Sequence, residues 1–112
     1  MPYVNIKTNV EINGKAETIK AKLGKAIECF PGKTEQWLMT SLEGNVTMYF
    51  QGKNSPCVFV DVFLFGTPAR ADCEAFAEEM TTALGEILDV SPARIYIKFG
   101  GTENWSWNGR LF

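Results

Sequence analysis

β-forming residues cluster at the start of the chain, where Tyr3, Val4 and Ile6 predict a strand over Pro2–Thr8. Asn13-Gly14 then supplies a turn and a candidate helix start. From Lys15 the period changes: Ile19, Leu23, Ala26, Ile27 and Phe30 recur at helical spacing, opposite Lys20, Lys22 and Lys25. Pro31-Gly32 ends this helix near Cys29, and Gln36–Leu42 predicts a second strand. Cys57–Phe65 (Cys-Val-Phe-Val-Asp-Val-Phe-Leu-Phe) is apolar on both faces, the pattern of a central strand covered on each side. Gly66 breaks it, Thr67 can cap a helix, and Pro68 suits a first helical position. Cys73, Phe76, Ala77, Met80, Leu84, Ile87 and Leu88 form a long helical stripe that stops before Pro92. Arg94–Phe99 predicts another strand, and Trp105–Phe112 a short closing hairpin.

Strand–helix–strand thus occurs twice. Two βαβ units imply an α+β fold: a four-stranded mixed sheet with parallel pairs and both helices on one face. The opposite face keeps Phe59 and Phe63, and strand parity puts Asp61 among them. Such a face needs a cover, and a second subunit is the expected one, with Asp61 a satisfied polar group at the interface.

The chain has 112 residues, 46% of them hydrophobic, which fits one domain over 1–112 with a real core. A lone domain of this size gains from burying more surface by oligomerisation. A net charge of −2 without a basic run gives nucleic-acid binding no support. Neither a span of transmembrane length nor a leader is visible, so the expected compartment is the cytoplasm, without membrane contact. The absence of histidine removes Ser-His and Cys-His catalysis and histidine metal ligation. Cys29, Cys57 and Cys73 form no Cys-x-x-Cys pair and are read as reduced thiols, so no metal is expected.

The chemistry left rests on carboxylates, lysine, tyrosine or the N-terminus. Removal of Met1 would leave Pro2 with a free secondary amine held in one orientation by its ring. An α-amino group titrates at roughly 7.7–8.0. An apolar pocket or a nearby cation lowers that value, giving a base poised near neutrality. Many chains begin Met-Pro without consequence, so Pro2 gains meaning only from its surroundings.

Those surroundings carry a resemblance. Met1-Pro2 with Thr8-Asn9, Gly32-Lys33, Phe50-x-Gly52, Pro56-Cys57, Gly66, Ser91-Pro92-x-Arg94-Ile95-Tyr96 and Trp107-Asn108 run from end to end. Their joint order and spacing resemble the tautomerase superfamily, and within it the macrophage migration inhibitory factor and D-dopachrome tautomerase family. The resemblance implies a homotrimer with two antiparallel helices outside each sheet, a central channel and active sites at subunit boundaries. It implies a cofactor-free keto–enol tautomerase acting on phenylpyruvate-like α-keto acids, with Pro2 as general acid and base. Lys33 matches the lysine that meets the substrate carboxylate, and Tyr96 the tyrosine that enters from a neighbouring subunit. Phe65 takes the position whose backbone N–H helps bind substrate, and Trp105, Trp107 and Phe112 match an apolar rim.

Read alone, Lys33 could serve only the helix carbonyls, Tyr96 the core or an interface, and the tryptophans a core cover. The resemblance also admits another role, a cytokine-like signalling protein with a receptor partner, secreted without a signal peptide. Three positions depart from the pattern. Val60 stands where a paired cysteine would follow Cys57, which puts thiol-redox activity in doubt. Lys98 replaces a pocket asparagine, and Phe65 is bulkier than the usual aliphatic residue. Lys98 is expected either to enter the pocket as a second cation or to point into solvent.

Overall fold

The computed structural model describes residues 1–112. Strand β1 (Pro2–Thr8) leads to helix α1 (Ala16–Ala26), which tightens into a 3₁₀ turn over Ile27–Cys29. Strand β2 (Met39–Glu43) and β3 (Val58–Phe65) follow, then α2 (Arg70–Leu88) and β4 (Ile95–Thr102). Two-residue strands β5 (Ser106–Trp107) and β6 (Arg110–Leu111) pair as a terminal hairpin.

The sheet order is β2-β1-β3-β4. β1 runs parallel to β2 and antiparallel to β3, and β3 runs parallel to β4, so the sheet is mixed. Each helix returns against its own strand. Because β1 and β3 are antiparallel, α1 and α2 are antiparallel too. Both lie on one face, where Ile19, Leu23, Phe76, Met80 and Leu84 bury against Val4, Ile6, Val60, Val62 and Leu64. Phe76 centres this layer, 5.5 Å from the ring of Phe30 and 5.8 Å from that of Phe99.

Three local details differ from the pattern reading. Glu35–Trp37 forms a 3₁₀ turn rather than the start of the second strand, with Trp37 N–H bonded to Thr34 and Leu38 N–H to Glu35. Glu35 folds back onto α1, where a Cβ at Gly24 would strike it, and pairs with Lys20 at 3.7 Å. Pairing with β1 therefore begins only at Met39, opposite Tyr3. α2 starts at Arg70 behind an extended Ala69 with no side-chain cap, so Thr67 and Pro68 belong to the link, not to the helix. β4 continues past Phe99 to Thr102 because it stays paired with β3 as far as Phe65. Gly66 N–H donates to Thr102 at 2.8 Å, and a Cβ at Gly101 would collide with the Gly66 carbonyl.

The helix-free face carries the odd-numbered residues of β1 and β3, as parity predicted. Register sorts them into rungs across the sheet. Ser41, Asn5, Asp61 and Lys98 make one polar rung, flanked by Met39, Tyr3, Phe63 and Gly100 on one side. Glu43, Lys7, Phe59 and Tyr96 flank it on the other. Within the polar rung Asn5 Nδ2 donates to Ser41 Oγ at 2.6 Å, and Lys98 Nζ lies 3.3 Å from Asp61 Oδ2. Asp61 Oδ1 is shielded from solvent and has no hydrogen-bond partner within the chain.

Candidate active site

Pro2 opens β1 opposite Leu64, the place in a strand where a missing N–H costs no ladder bond. It is buried. Its nitrogen here is the tertiary amide of the Met1–Pro2 bond, so the free amine belongs to Met1, one residue further out. That amine is held at about 6, first by loss of solvent, then by the charge of Lys33 and a hydrogen bond with it. The Met1 carbonyl accepts a 3.0 Å hydrogen bond from the N–H of Phe65.

Lys33 reaches this spot because the chain turns sharply after α1. Its backbone N–H bonds to the Phe30 carbonyl at 3.0 Å, and its Nζ donates to the Phe65 carbonyl at 3.4 Å. The ammonium also lies 6.0 Å from the centre of the Phe65 ring. A hollow of about 300 Å³ adjoins the group, bounded by Phe30, Lys33, Leu64, Phe65 and Pro68.

The C-terminal hairpin closes on both sides of β1. Phe112 meets the Phe65 ring edge-on with centroids 5.5 Å apart, and Trp107 meets Trp37 edge-on at 5.2 Å. Trp105 stacks on Phe63 at 6.5 Å. Pro2, Lys33, Phe65, Phe112 and Trp107 are thus gathered at one end of the sheet. Trp37, read as a strand residue in the sequence, joins them. Its only sequence signal was a large aromatic shortly after Gly32-Lys33, and its partner Trp107 lies near the other terminus.

Tyr96 and Lys98 are not in this group. Tyr96 pairs with Phe59, while Phe65 pairs with Thr102, so Tyr96 and the Phe65 end are about 20 Å apart along the strands. Tyr96 is 59% exposed and packs on Phe50, with ring centroids 4.7 Å apart. The Lys98 side chain is 62% exposed and pairs with Asp61 at 3.3 Å.

The thiols stand apart from the site. Burial and the Glu79 carboxylate push the Cys29 thiol up, and burial followed by Asp72 pushes Cys73 up, which works against thiolate formation. Cys57 is buried and free. No group of three or more histidine, cysteine or carboxylate side chains is placed to hold a metal ion.

A profile of the family described as macrophage migration inhibitory factor matches residues 1–112. The macrophage migration inhibitory factor of Meriones unguiculatus is 26% identical over 114 aligned residues, spanning 100% of this chain and 99% of that protein. The macrophage migration inhibitory factor homolog of Brugia malayi matches at the same identity and coverage. Among solved structures, Leishmania major MIF2 superposes with a TM-score of 0.92 at 25% identity, covering 100% of this chain and 97% of that one. The homologue from Prochlorococcus marinus superposes with a TM-score of 0.79 at 28% identity, covering 98% of each chain.

Proposed function

Because the chain belongs to the macrophage migration inhibitory factor family, we propose that it is a cofactor-free keto–enol tautomerase working from the amine of Pro2 after Met1 is removed. Its substrates are phenylpyruvate-like α-keto acids. One observation carries this reading: the buried Pro2, the Lys33 ammonium and the Phe65 N–H meet at one end of the sheet, where burial and Lys33 hold even the Met1 amine, one residue further out, well below its ordinary value.

The chemistry follows from those three groups. With Met1 gone, the Pro2 nitrogen becomes a secondary amine in the same partly dry surroundings, and burial with Lys33 favours its neutral form. The neutral nitrogen takes a proton from the carbon next to the keto group, and the electron pair of that C–H bond moves into an enolate. The ammonium then returns the proton to the enolate oxygen, which gives the enol; the reverse path gives the ketone. Lys33 offers a cation to the carboxylate, and the Phe65 N–H, freed of the Met1 carbonyl, offers a hydrogen bond to an oxygen. Phe112, Trp107 and Trp37 offer aromatic surface to an aryl group, with Trp105 at the margin.

The site is incomplete in one protomer, since Tyr96 lies far from Pro2 in its own chain. A homotrimer around a central channel would bring in the partner subunit's Tyr96 and cover the helix-free face. We read residues 1–112 as one domain, acting in the cytoplasm.

The test compares Met1-free protein, verified by intact mass, with a Pro2→Gly variant in phenylpyruvate tautomerisation. Turnover by the first and a loss of at least about a hundredfold in the second is the expected result. Equal rates would remove Pro2 from the mechanism.

A further inference from the structure

Four of the short motifs that carry the family resemblance do not touch the Pro2 group, yet they meet each other. Thr8-Asn9, Phe50-x-Gly52, Pro56-Cys57 and Arg94-Ile95-Tyr96 converge on the segment that leads into β3. This segment has no regular structure beyond a two-residue turn, in which Phe50 and Lys53 exchange backbone hydrogen bonds. Five of its carbonyls, those of Phe50, Lys53, Asn54, Ser55 and Pro56, nevertheless accept from side chains. Arg94 Nε donates to Pro56 O at 2.9 Å and Nη1 to Phe50 O at 3.1 Å. Arg94 Nη2 donates to Lys53 O at 3.2 Å and Ser55 O at 3.1 Å. Asn9 Nδ2 donates to Asn54 O and Ser55 O, each at 3.0 Å, and Asn9 Oδ1 accepts from Cys57 N–H at 2.9 Å. The Arg94 guanidinium also lies 5.2 Å from the centre of the Phe50 ring, and the Tyr96 ring meets that same ring with centroids 4.7 Å apart.

We propose that Arg94 is a positioning residue for Tyr96: its planar fork fixes the Phe50–Pro56 segment, and the segment presents the Phe50 ring as a rigid backing for an otherwise exposed tyrosine. The proposal rests on the tautomerase reading above, in which the partner subunit's Tyr96 completes the site. A tyrosine side chain with no fixed neighbour has rotamer freedom to lose when substrate binds. A ring held beforehand loses less, and the gain falls on substrate affinity. Four bonds from one guanidinium to four carbonyls of one loop are a geometry that lysine, a point charge with no fork, does not reproduce.

The experiment uses Met1-free protein and four variants: Arg94→Lys, Phe50→Leu, Tyr96→Ala and Arg94→Lys with Tyr96→Ala. Arg94→Lys should raise KM for phenylpyruvate about five- to tenfold while kcat and the pH profile stay near those of the parent. In the Tyr96→Ala background the same change should add nothing, because the residue being positioned is gone. Phe50→Leu leaves the backbone carbonyls that Arg94 binds and removes the ring that both Arg94 and Tyr96 contact, so it should reproduce the KM rise even if Arg94→Lys folds poorly. Additive effects of Arg94→Lys and Tyr96→Ala, or an unchanged KM in Phe50→Leu, would overturn the proposal. Ring-proton NMR shifts of Tyr96, displaced by the Phe50 ring, read the positioning without any substrate. They should move toward unstacked values in Arg94→Lys, and unchanged shifts would also overturn it. A parent protein that fails to turn over phenylpyruvate would sink the tautomerase reading separately, leaving the shifts to decide the role of Arg94.

Discussion

The N–H of Phe65 is bonded to the carbonyl of Met1 at 3.0 Å, the same donor that the proposed mechanism assigns to substrate. The initiator residue therefore blocks the site twice. It turns the Pro2 nitrogen into an amide that is neither basic nor protonated, and it occupies the hydrogen-bond donor beside it.

Protein that retains Met1 should fold normally and tautomerise phenylpyruvate at least about a hundredfold more slowly than processed protein. Intact mass paired with turnover on the same sample decides this. Full activity with Met1 in place would exclude the amine of Pro2 as the base.

The Met1 amine also predicts a pH dependence of stability for the unprocessed chain. Its folded value of about 6 lies below the ordinary value, so between these limits the unfolded chain binds more protons. Stability should therefore rise as pH climbs from about 6 to about 8 and level off above, where both states are neutral. Lys33→Met removes both causes that follow loss of solvent, the charge and the hydrogen bond, and should raise the amine's midpoint, read by NMR titration. A midpoint that does not move would mean that loss of solvent accounts for all of it.

In processed protein Lys33→Ala should raise KM at least about tenfold for an α-keto acid and much less for its ester. Lys98→Asn should behave differently. Its ammonium is committed to Asp61 at 3.3 Å, so acid-over-ester preference and the pH–rate profile should stay as they are. The thermal midpoint should fall instead, because Asp61 loses its partner while one of its oxygens is already unpaired. A changed acid/ester preference would put Lys98 in the pocket.

Cys57→Ser should keep turnover within a few-fold of the parent and cost about 1–3 kcal/mol of stability, since a hydroxyl replaces a thiol at a buried position. Denaturant unfolding and the tautomerase assay together check this. A large loss of turnover in a folded, normally assembled variant would give the thiol a role that its surroundings do not suggest.

Much of the sheet was legible because Cys57–Phe65 is apolar on both faces apart from Asp61, the mark of a central strand; the structure then separates buried Val58, Val60, Val62 and Leu64 from Phe59, Asp61 and Phe63, which face the other way. The helices were legible from period alone. The 3₁₀ turn at Glu35 was not, because it depends on Glu35 lying against a side-chain-free spot at Gly24, a contact between distant positions. The site divides along the same line. Pro2 and Lys33 acquire roles in the sequence only through the family resemblance, and the structure then places them around Phe65. Trp37 escaped notice since its partner, Trp107, is supplied by the opposite end of the chain.

The rungs on the helix-free face have a consequence for assembly. Phe63 lies over Gly100, where a Cβ would touch its ring, and so spreads one aromatic rung across two strands. Next to it comes a rung with a charged pair and an orphaned carboxylate oxygen, then another with aromatic rings. A neighbouring copy sliding along the strands by one rung, about 7 Å, would press rings against Asp61 and leave Lys98 facing hydrocarbon. In the proposed homotrimer the striping would work as a vernier, admitting neighbouring copies at one height and penalising the adjacent ones.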